Sequence, residues 1–373
     1  MIQTLTEDDL YRTSTQYRLW SFSPESLAAL RQKTHDLALR RAANYGVSAD
    51  RCLTETEELS LIQRYSDQIR STADHFSFPI NAKATAVQYL RRFYLANSPL
   101  TYPPKDIYKT CLFLACKTEG THMTLGEYSR RIQTSGEVVL APEYKVMQAL
   151  RFTLDVRQPY RGLKGVLMEM VELAEGIVGE VQGGDWRGAE ELKKGMRELG
   201  MPQQGALTAW KSPKNASAGS KELHDRINAA YAAARAVLDR PALLTDAYFL
   251  YTPSQLTLAA LHLADEPLVS FYLSTKLPTA STTRPQILAT IHACADVLSS
   301  FDPGQILSKD KRAALEEKLE GCRDPATRDL VKAHMAAKLG DDDEEEKKAK
   351  KREAREKAAK EGDDLFGPSL GKG

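Results

Sequence analysis

The chain has 373 residues, 42% of them apolar, which is enough for two compact domains plus extensions. Its formal net charge is +1, so no global field steers it toward nucleic acid or a membrane surface, and direct nucleic-acid binding is not expected as its main task. The five cysteines (Cys52, Cys111, Cys116, Cys294, Cys322) are odd in number and lack CxxC spacing, so they read as small buried hydrophobes of an intracellular chain. The opening MIQTLTEDDLY has no apolar core of a secretory signal, and no apolar run approaches a membrane span, so a soluble chain with no membrane partner is expected.

Helical periodicity dominates in chain order. Ser23-Pro24-Glu25 reads as the N-cap and first two positions of a helix with Leu27, Leu30 and Leu37 on one face, and Trp20 and Phe22 just before it could staple it to a core. A second helix is expected from about Glu57 to Phe76, carrying Leu61, Tyr65 and Ile69 inward. Asn81 is expected to cap a third, with Ala84, Val87, Leu90, Phe93 and Tyr94 facing in. The helix opening at Pro103-Pro104 is apolar nearly all round, from Ile107 to Ala115, which predicts a central rod surrounded by other helices. A short helix is expected near Thr124–Ile132, and another opens at Pro142 with Val146, Met147, Leu150, Phe152 and Leu154.

The pattern then recurs. Thr252 and Gln255 form a capping-box signature with Pro253 at the first helical position. Counted from Pro104 and Pro253, Ile107 matches Leu256, Cys111 matches Ala260, Leu112 matches Leu261, Leu114 matches Leu263 and Ala115 matches Ala264. This register predicts two copies of one helical domain. Residues 180–220 are rich in Gly, Ser, Lys and Pro and read as a mobile loop or insertion. Lys309–Lys338 has helical spacing with many charges. The low-complexity tail from Asp341 cannot bury a core and is expected to be disordered, with Lys347–Arg352 either a nuclear localisation signal or a plain solvated charge run.

Catalytic signatures are absent from the sequence. It has no P-loop, GxGxxG, HExxH, GxSxG, HRD or DFG, and its seven histidines are scattered. No catalytic residue, metal or cofactor is expected, and a non-catalytic protein is.

FYLANSPLTYPPKDIYKTCLFLACKTEG (93–120) resembles a cyclin box, and more closely the cyclin H branch of that family. TQYRLWSFSPESLAALR (15–31), LDVRQPYRGLKG (154–165) and LLTDAYFLYTPSQLTLAAL (243–261) resemble the same branch. The resemblance implies an all-α cyclin fold of two tandem five-helix cyclin-box repeats with extra N- and C-terminal helices. The division it implies is an N-terminal extension with a helix (1–50), a first box (51–156), a second box (157–302) holding the flexible insertion at about 180–220, a C-terminal helix (303–340) and a disordered charged tail (341–373). It implies a nuclear regulatory subunit that activates a cyclin-dependent kinase of the TFIIH kinase module (CDK-activating kinase). The other implied partners are that module's RING-finger assembly factor and, through the complex, the TFIIH core. The RNA polymerase II C-terminal domain, and in some lineages the activation loops of other such kinases, would be the complex's substrates.

The same resemblance places a kinase-binding face on the first box. Lys117 in LACKTE and Glu143 in PEYKVMQALRF match the cyclin pair that bonds kinase backbone ahead of the αC helix, and Leu114, Met147 and Leu154 match apolar positions that pack on αC. Thr118 stands where several cell-cycle cyclins carry Phe, and Glu266 stands in the second copy at the offset of Lys117. ELSLIQRYSDQI lacks the Trp that cell-cycle cyclins use to dock RxL motifs, so no such docking patch is expected. A TFIIB-like factor or another transcriptional cyclin is the alternative within the fold.

Overall fold

The structure is a computed structural model that describes residues 7–177, 188–200 and 220–338, and every regular element among them is helical. After α1 (Glu7–Thr13), α2 (Thr15–Trp20) starts on Ser14, whose hydroxyl accepts the Tyr17 N–H at 3.2 Å. The long α3 (Pro24–Asn44) starts on Ser23 as predicted, with Ser23 and Ser26 forming a reciprocal cap. Leu27 is buried, but Leu37 is 45% exposed, because the later half of α3 approaches its neighbours through the small Ala38 and Ala42 instead.

The first bundle comprises α4 (Glu55–His75), α5 (Ile80–Ala96), α6 (Pro104–Thr118), α7 (Leu125–Arg131), α8 (Gly136–Leu140) and α9 (Glu143–Ala149). Helix α4 starts ahead of the expected Glu57 because Thr54 and Glu57 close a capping box, each side chain accepting the other's N–H at 3.2 and 2.8 Å. Pro79 precedes α5, so Asn81 lies inside the helix rather than capping it. Helix α6 packs against α4, α5, α8 and α9, as a central rod should.

Helix α5 is buried without a break from Ala82 to Leu95, cations included. It forms the seam between the two halves of the molecule. Lys83 pairs with Asp74 at 2.7 Å and also with Asp239. Arg91 reaches Asp246 at 2.5 Å, and Arg31 from α3 grips the same carboxylate through two nitrogens at 2.8 and 2.6 Å. Burial alone would raise the Asp246 carboxyl, but the two guanidiniums hold it below the usual range. Arg92 lies over the Trp20 ring and donates to Gln16 at 3.2 Å, and burial pushes it down to about 10.

The second bundle comprises α10 (Tyr160–Glu175), α11 (Ala189–Arg197), α12 (Ser220–Asp239), the short α13 (Pro241–Leu244) and α14 (Ala247–Leu250), α15 (Pro253–Ala264), α16 (Glu266–Lys276) and α17 (Arg284–Ser299). Helix α15 packs against α10, α12, α16 and α17, as α6 does against its own neighbours, and Leu256, Ala260, Leu261 and Ala264 are buried at the matched offsets, whereas Leu263, matched to the buried Leu114, is only half-buried. The expectation of a loop over 180–220 fails at α11. There AEELKKGMR buries Leu192 and Met196 beside α10, with acids in its first turn and bases in its last. The rest of that stretch, 178–187 and 201–219, lies outside the described residues.

Helix α18 (Lys309–Cys322) turns back onto the first bundle. Its Leu319 and Cys322 share a core with Ala38, Ala42, Cys52, Leu53, Leu61 and Leu100. The helix expected over 303–340 is interrupted, because Pro325 forces the backbone at Asp324 out of the helical region, and residues 330–338 form a separate helical stretch. The tail 341–373, with Lys347–Arg352, lies outside the described residues. All five cysteines are buried free thiols, and burial together with the adjacent Cys322 pushes Cys52 up to about 12. Among the described residues, no helix is long and apolar enough to cross a membrane.

Candidate partner-binding site

The C-terminal end of α6 and the N-terminal end of α9 meet at the surface of the first bundle. Gly120, at φ +67°, follows the α6 cap residue, and the Thr121 N–H returns to the Cys116 carbonyl at 2.9 Å, so α6 ends cleanly with Lys117 in its last turn. Glu143 occupies the first turn of α9, behind Pro142. Lys117 forms an ion pair with Glu143, and its Nζ lies 4.9 Å from the Phe113 ring centroid. The pair is accessible, with Lys117 42% and Glu143 16% exposed. A carboxylate at a helix start and an ammonium at a helix end also complement the two helix dipoles.

Around the pair, Met147 and Leu154 are half-buried, and Leu114, at 3% exposure, lies in the core beneath and supports the surface from below. The predicted residues are thus brought together, with Leu114 under the face rather than on it. Phe152, expected on the helix opening at Pro142, lies beyond it. Helix α9 stops at Ala149, and Arg151 and Phe152 both adopt left-handed φ, at +53° and +54°. Their N–H groups return to Gln148 and Met147, each at 2.9 Å. Two successive non-glycine residues in that region are strained, and the result is a Phe152 ring left 61% exposed. Tyr144 is 58% exposed, and its ring centroid lies 6.3 Å from that of Phe152. Neither aromatic is apparent from helical periodicity. The signal that could have found them is the RFT segment following a seven-residue helix too short to carry Phe152 on its face.

The face is anchored inward. The Tyr89 hydroxyl donates to the Leu154 carbonyl at 2.6 Å and lies 3.0 Å from the Thr118 hydroxyl, and burial pushes it up to about 12. Thr85 donates to Glu119 at 2.7 Å, Gln158 donates to Thr85 at 2.9 Å, and Tyr248 donates to Gln158 at 2.9 Å. This chain of hydrogen bonds ties the end of α6 to the second bundle. The arrangement is a charged pair ringed by exposed apolar side chains on a rigid support. It can hold another protein's backbone groups and apolar side chains, and it brings together no nucleophile–base pair.

Two apolar rods, each packed among the other helices of its own bundle, with an accessible charged pair at the end of the first, define a tandem all-helical fold with a candidate partner-binding face. The profile described as Cyclin, N-terminal domain matches residues 41–155, and that described as Cyclin C-terminal domain matches 158–299, so the chain belongs to the cyclin family. It is 30% identical over 291 residues to Cyclin CCL1 of Saccharomyces cerevisiae, covering 74% of this chain but 63% of that cyclin, less than two thirds of the relative's length. Among solved structures it is similar to a chain in the CAK complex of Chaetomium thermophilum bound to ATP-gamma-S, with 31% identity, TM-score 0.68, and coverage of 99% of this chain and 100% of that one. It is also similar to a chain in the yeast TFIIK (Kin28/Ccl1/Tfb3) complex, with 26% identity, TM-score 0.54, and coverage of 77% and 100%.

Proposed function

We propose that this chain is the non-catalytic regulatory subunit that binds and activates the cyclin-dependent kinase of a TFIIH kinase module, in the nucleus. The single observation that carries the site assignment is the accessible Lys117–Glu143 pair flanked by exposed Tyr144 and Phe152. The pair would bond kinase backbone groups ahead of αC, while Met147, Leu154 and the two aromatics pack on that helix. A cyclin acts by binding one of two kinase states well. Pressing αC inward makes the Lys–Glu ion pair of the kinase and repositions its activation loop. No catalytic group is required of the cyclin itself.

The partners that follow are a cyclin-dependent kinase, a RING-finger assembly factor and, through them, the TFIIH core. The substrate would be the repeat of the RNA polymerase II C-terminal domain. Membership of the family supports this reading, as does the full-length likeness to a chain of a CAK complex. The division of labour is a first box carrying the kinase face, within 51–156, and a second box, 157–302, with the terminal helices supporting it. Helix α18 covers the outer face of α4, Tyr65 donating to Glu316, which argues further against RxL docking there.

The test is co-purification with the cognate kinase and assay on a polymerase-repeat peptide. Glu143→Lys should lower kinase affinity by about 30-fold or more, as expected for a central charged anchor, with unchanged far-UV circular dichroism. Normal affinity in that variant would overturn the site, and a chain that raises the activity of no cyclin-dependent kinase would overturn the function.

A further inference from the structure

We propose that the acidic run Asp341–Glu346 of this same chain docks in the groove between α4, α6 and α7. The groove is a cavity of about 290 Å³. Phe76, Tyr108 and Tyr128 give it an aromatic lining, and no carboxylate is among its lining side chains. Lys109 and His75 supply a cation and a nitrogen base, and Arg131, which also pairs with Glu127 at 2.8 Å on α7, adds a second cation. Lys109 bonds the neutral hydroxyl of Thr134 at 3.2 Å and lies 6.0 Å from the Tyr108 ring centroid. The face is distinct from the Lys117–Glu143 surface, some two turns back along α6.

The path of the chain selects the occupant. At the end of α18 it is held along the start of α6 by Lys105–Glu320 at 2.6 Å and Arg323–Asp106 at 2.8 Å. The helical stretch 330–338 then brings Lys338 within 3.9 Å of the Glu137 carboxylate in the first turn of α8. A chain reaches at most roughly 3.3–3.6 Å per residue, so positions 341–346 have a reach of up to about 10–29 Å from Lys338. Lys338 faces Glu137, three residues on from the Thr134 that bonds Lys109 in the groove. Six consecutive carboxylates arrive there at the millimolar effective concentration of a short tether. The run that follows, KKAKKR, has the sign of the groove's own rim and bounds the docked stretch at its far end.

The experiment uses the full chain at low ionic strength, as an equal mixture of ¹⁵N-labelled and unlabelled copies, treated with a zero-length carbodiimide and mapped by mass spectrometry. In parallel, the acetylation rate of Lys109 is compared with that of a variant carrying Asp341→Asn, Asp342→Asn, Asp343→Asn, Glu344→Gln, Glu345→Gln and Glu346→Gln. The expected results are amide links from 341–346 to Lys109 within one copy, and several-fold faster Lys109 acetylation in the neutralised variant or in high salt. Links only between labelled and unlabelled copies would assign the groove to a second molecule and overturn the proposal. Equal acetylation rates with no link to Lys109 would overturn docking altogether.

Discussion

The two central helices share one plan and differ at their ends. Helix α6 runs out through Gly120 and leaves Lys117 at the surface with Glu143. Helix α15 stops at Ala264, and α16 begins at once. Between them Asp265 is fully buried, accepts Arg226 at 2.7 and 2.8 Å and caps α16 by accepting the Leu268 N–H at 3.1 Å. Glu266, at the offset of Lys117, is the first residue of α16, and its carboxylate accepts the Ser270 hydroxyl at 3.0 Å. One end therefore presents its charges outward and the other consumes them internally. Under the proposed function, a duplicated bundle needs only one open end, and the closed end would leave the second copy as its support.

The largest expected effect lies at the closed end. Arg226→Met leaves the Asp265 carboxylate buried without its cation and should destabilise the fold by about 3–5 kcal/mol in denaturant unfolding. Adding Asp265→Asn should recover much of that loss, because the neutral amide oxygen can still accept the Leu268 N–H and no unpaired charge stays buried. A loss below about 1 kcal/mol for the single variant would show that the closed end does not depend on this pair. Next comes the seating of α18 on the first bundle. Leu319→Ala removes a buried side chain where α18 meets α3 and α4 and should cost roughly 3 kcal/mol. If α18 were merely resting there, the unfolding midpoint would not move.

Much of the bundle plan was legible in the sequence. The apolar-all-round run after Pro104 and its echo after Pro253 place both rods, because a helix with no polar face has to be surrounded. Lys117 and Glu143 were legible only through resemblance, since either could be a dipole partner at a helix end. Three features were not legible, for separate reasons. The left-handed pair Arg151–Phe152 depends on where α9 ends, and periodicity carries through a boundary that tertiary packing imposes. Helix α11 has a mere two buried residues in a Gly-rich context, too short a stripe to outvote composition. The return of α18 to the first bundle depends on contacts between positions hundreds of residues apart, such as Glu57 with Lys318 at 2.7 Å, which no local pattern encodes.

At the open end stability should be nearly indifferent to charge. The double exchange Lys117→Glu with Glu143→Lys should shift unfolding by less than about 1 kcal/mol, because exposed pairs contribute little, while it abolishes partner binding by reversing both charges presented. A large loss of stability would make the pair a structural clamp and erase the contrast with Asp265.

The smallest effect tests a third pair, buried like Asp265 but titratable near neutrality. His35 on α3 faces Glu58 on α4 at 3.2 Å, with both side chains less than a tenth exposed. The hydrogen bond to Glu58 raises the His35 pKa against the opposing effect of burial. A histidine whose folded pKa is raised stabilises fully below its unfolded value, near 6.5, and loses that contribution as pH climbs through the folded value. Tm should therefore fall slightly from pH 6 toward pH 8, and the slope should flatten in His35→Gln. The Glu58 carboxylate, which also accepts the Ser98 hydroxyl at 2.6 Å, keeps that partner in the variant, so the flattening reports the imidazolium alone. An unchanged slope would mean that α3 is held by its alanine packing and its clasp on Asp246, with no contribution from charge at His35.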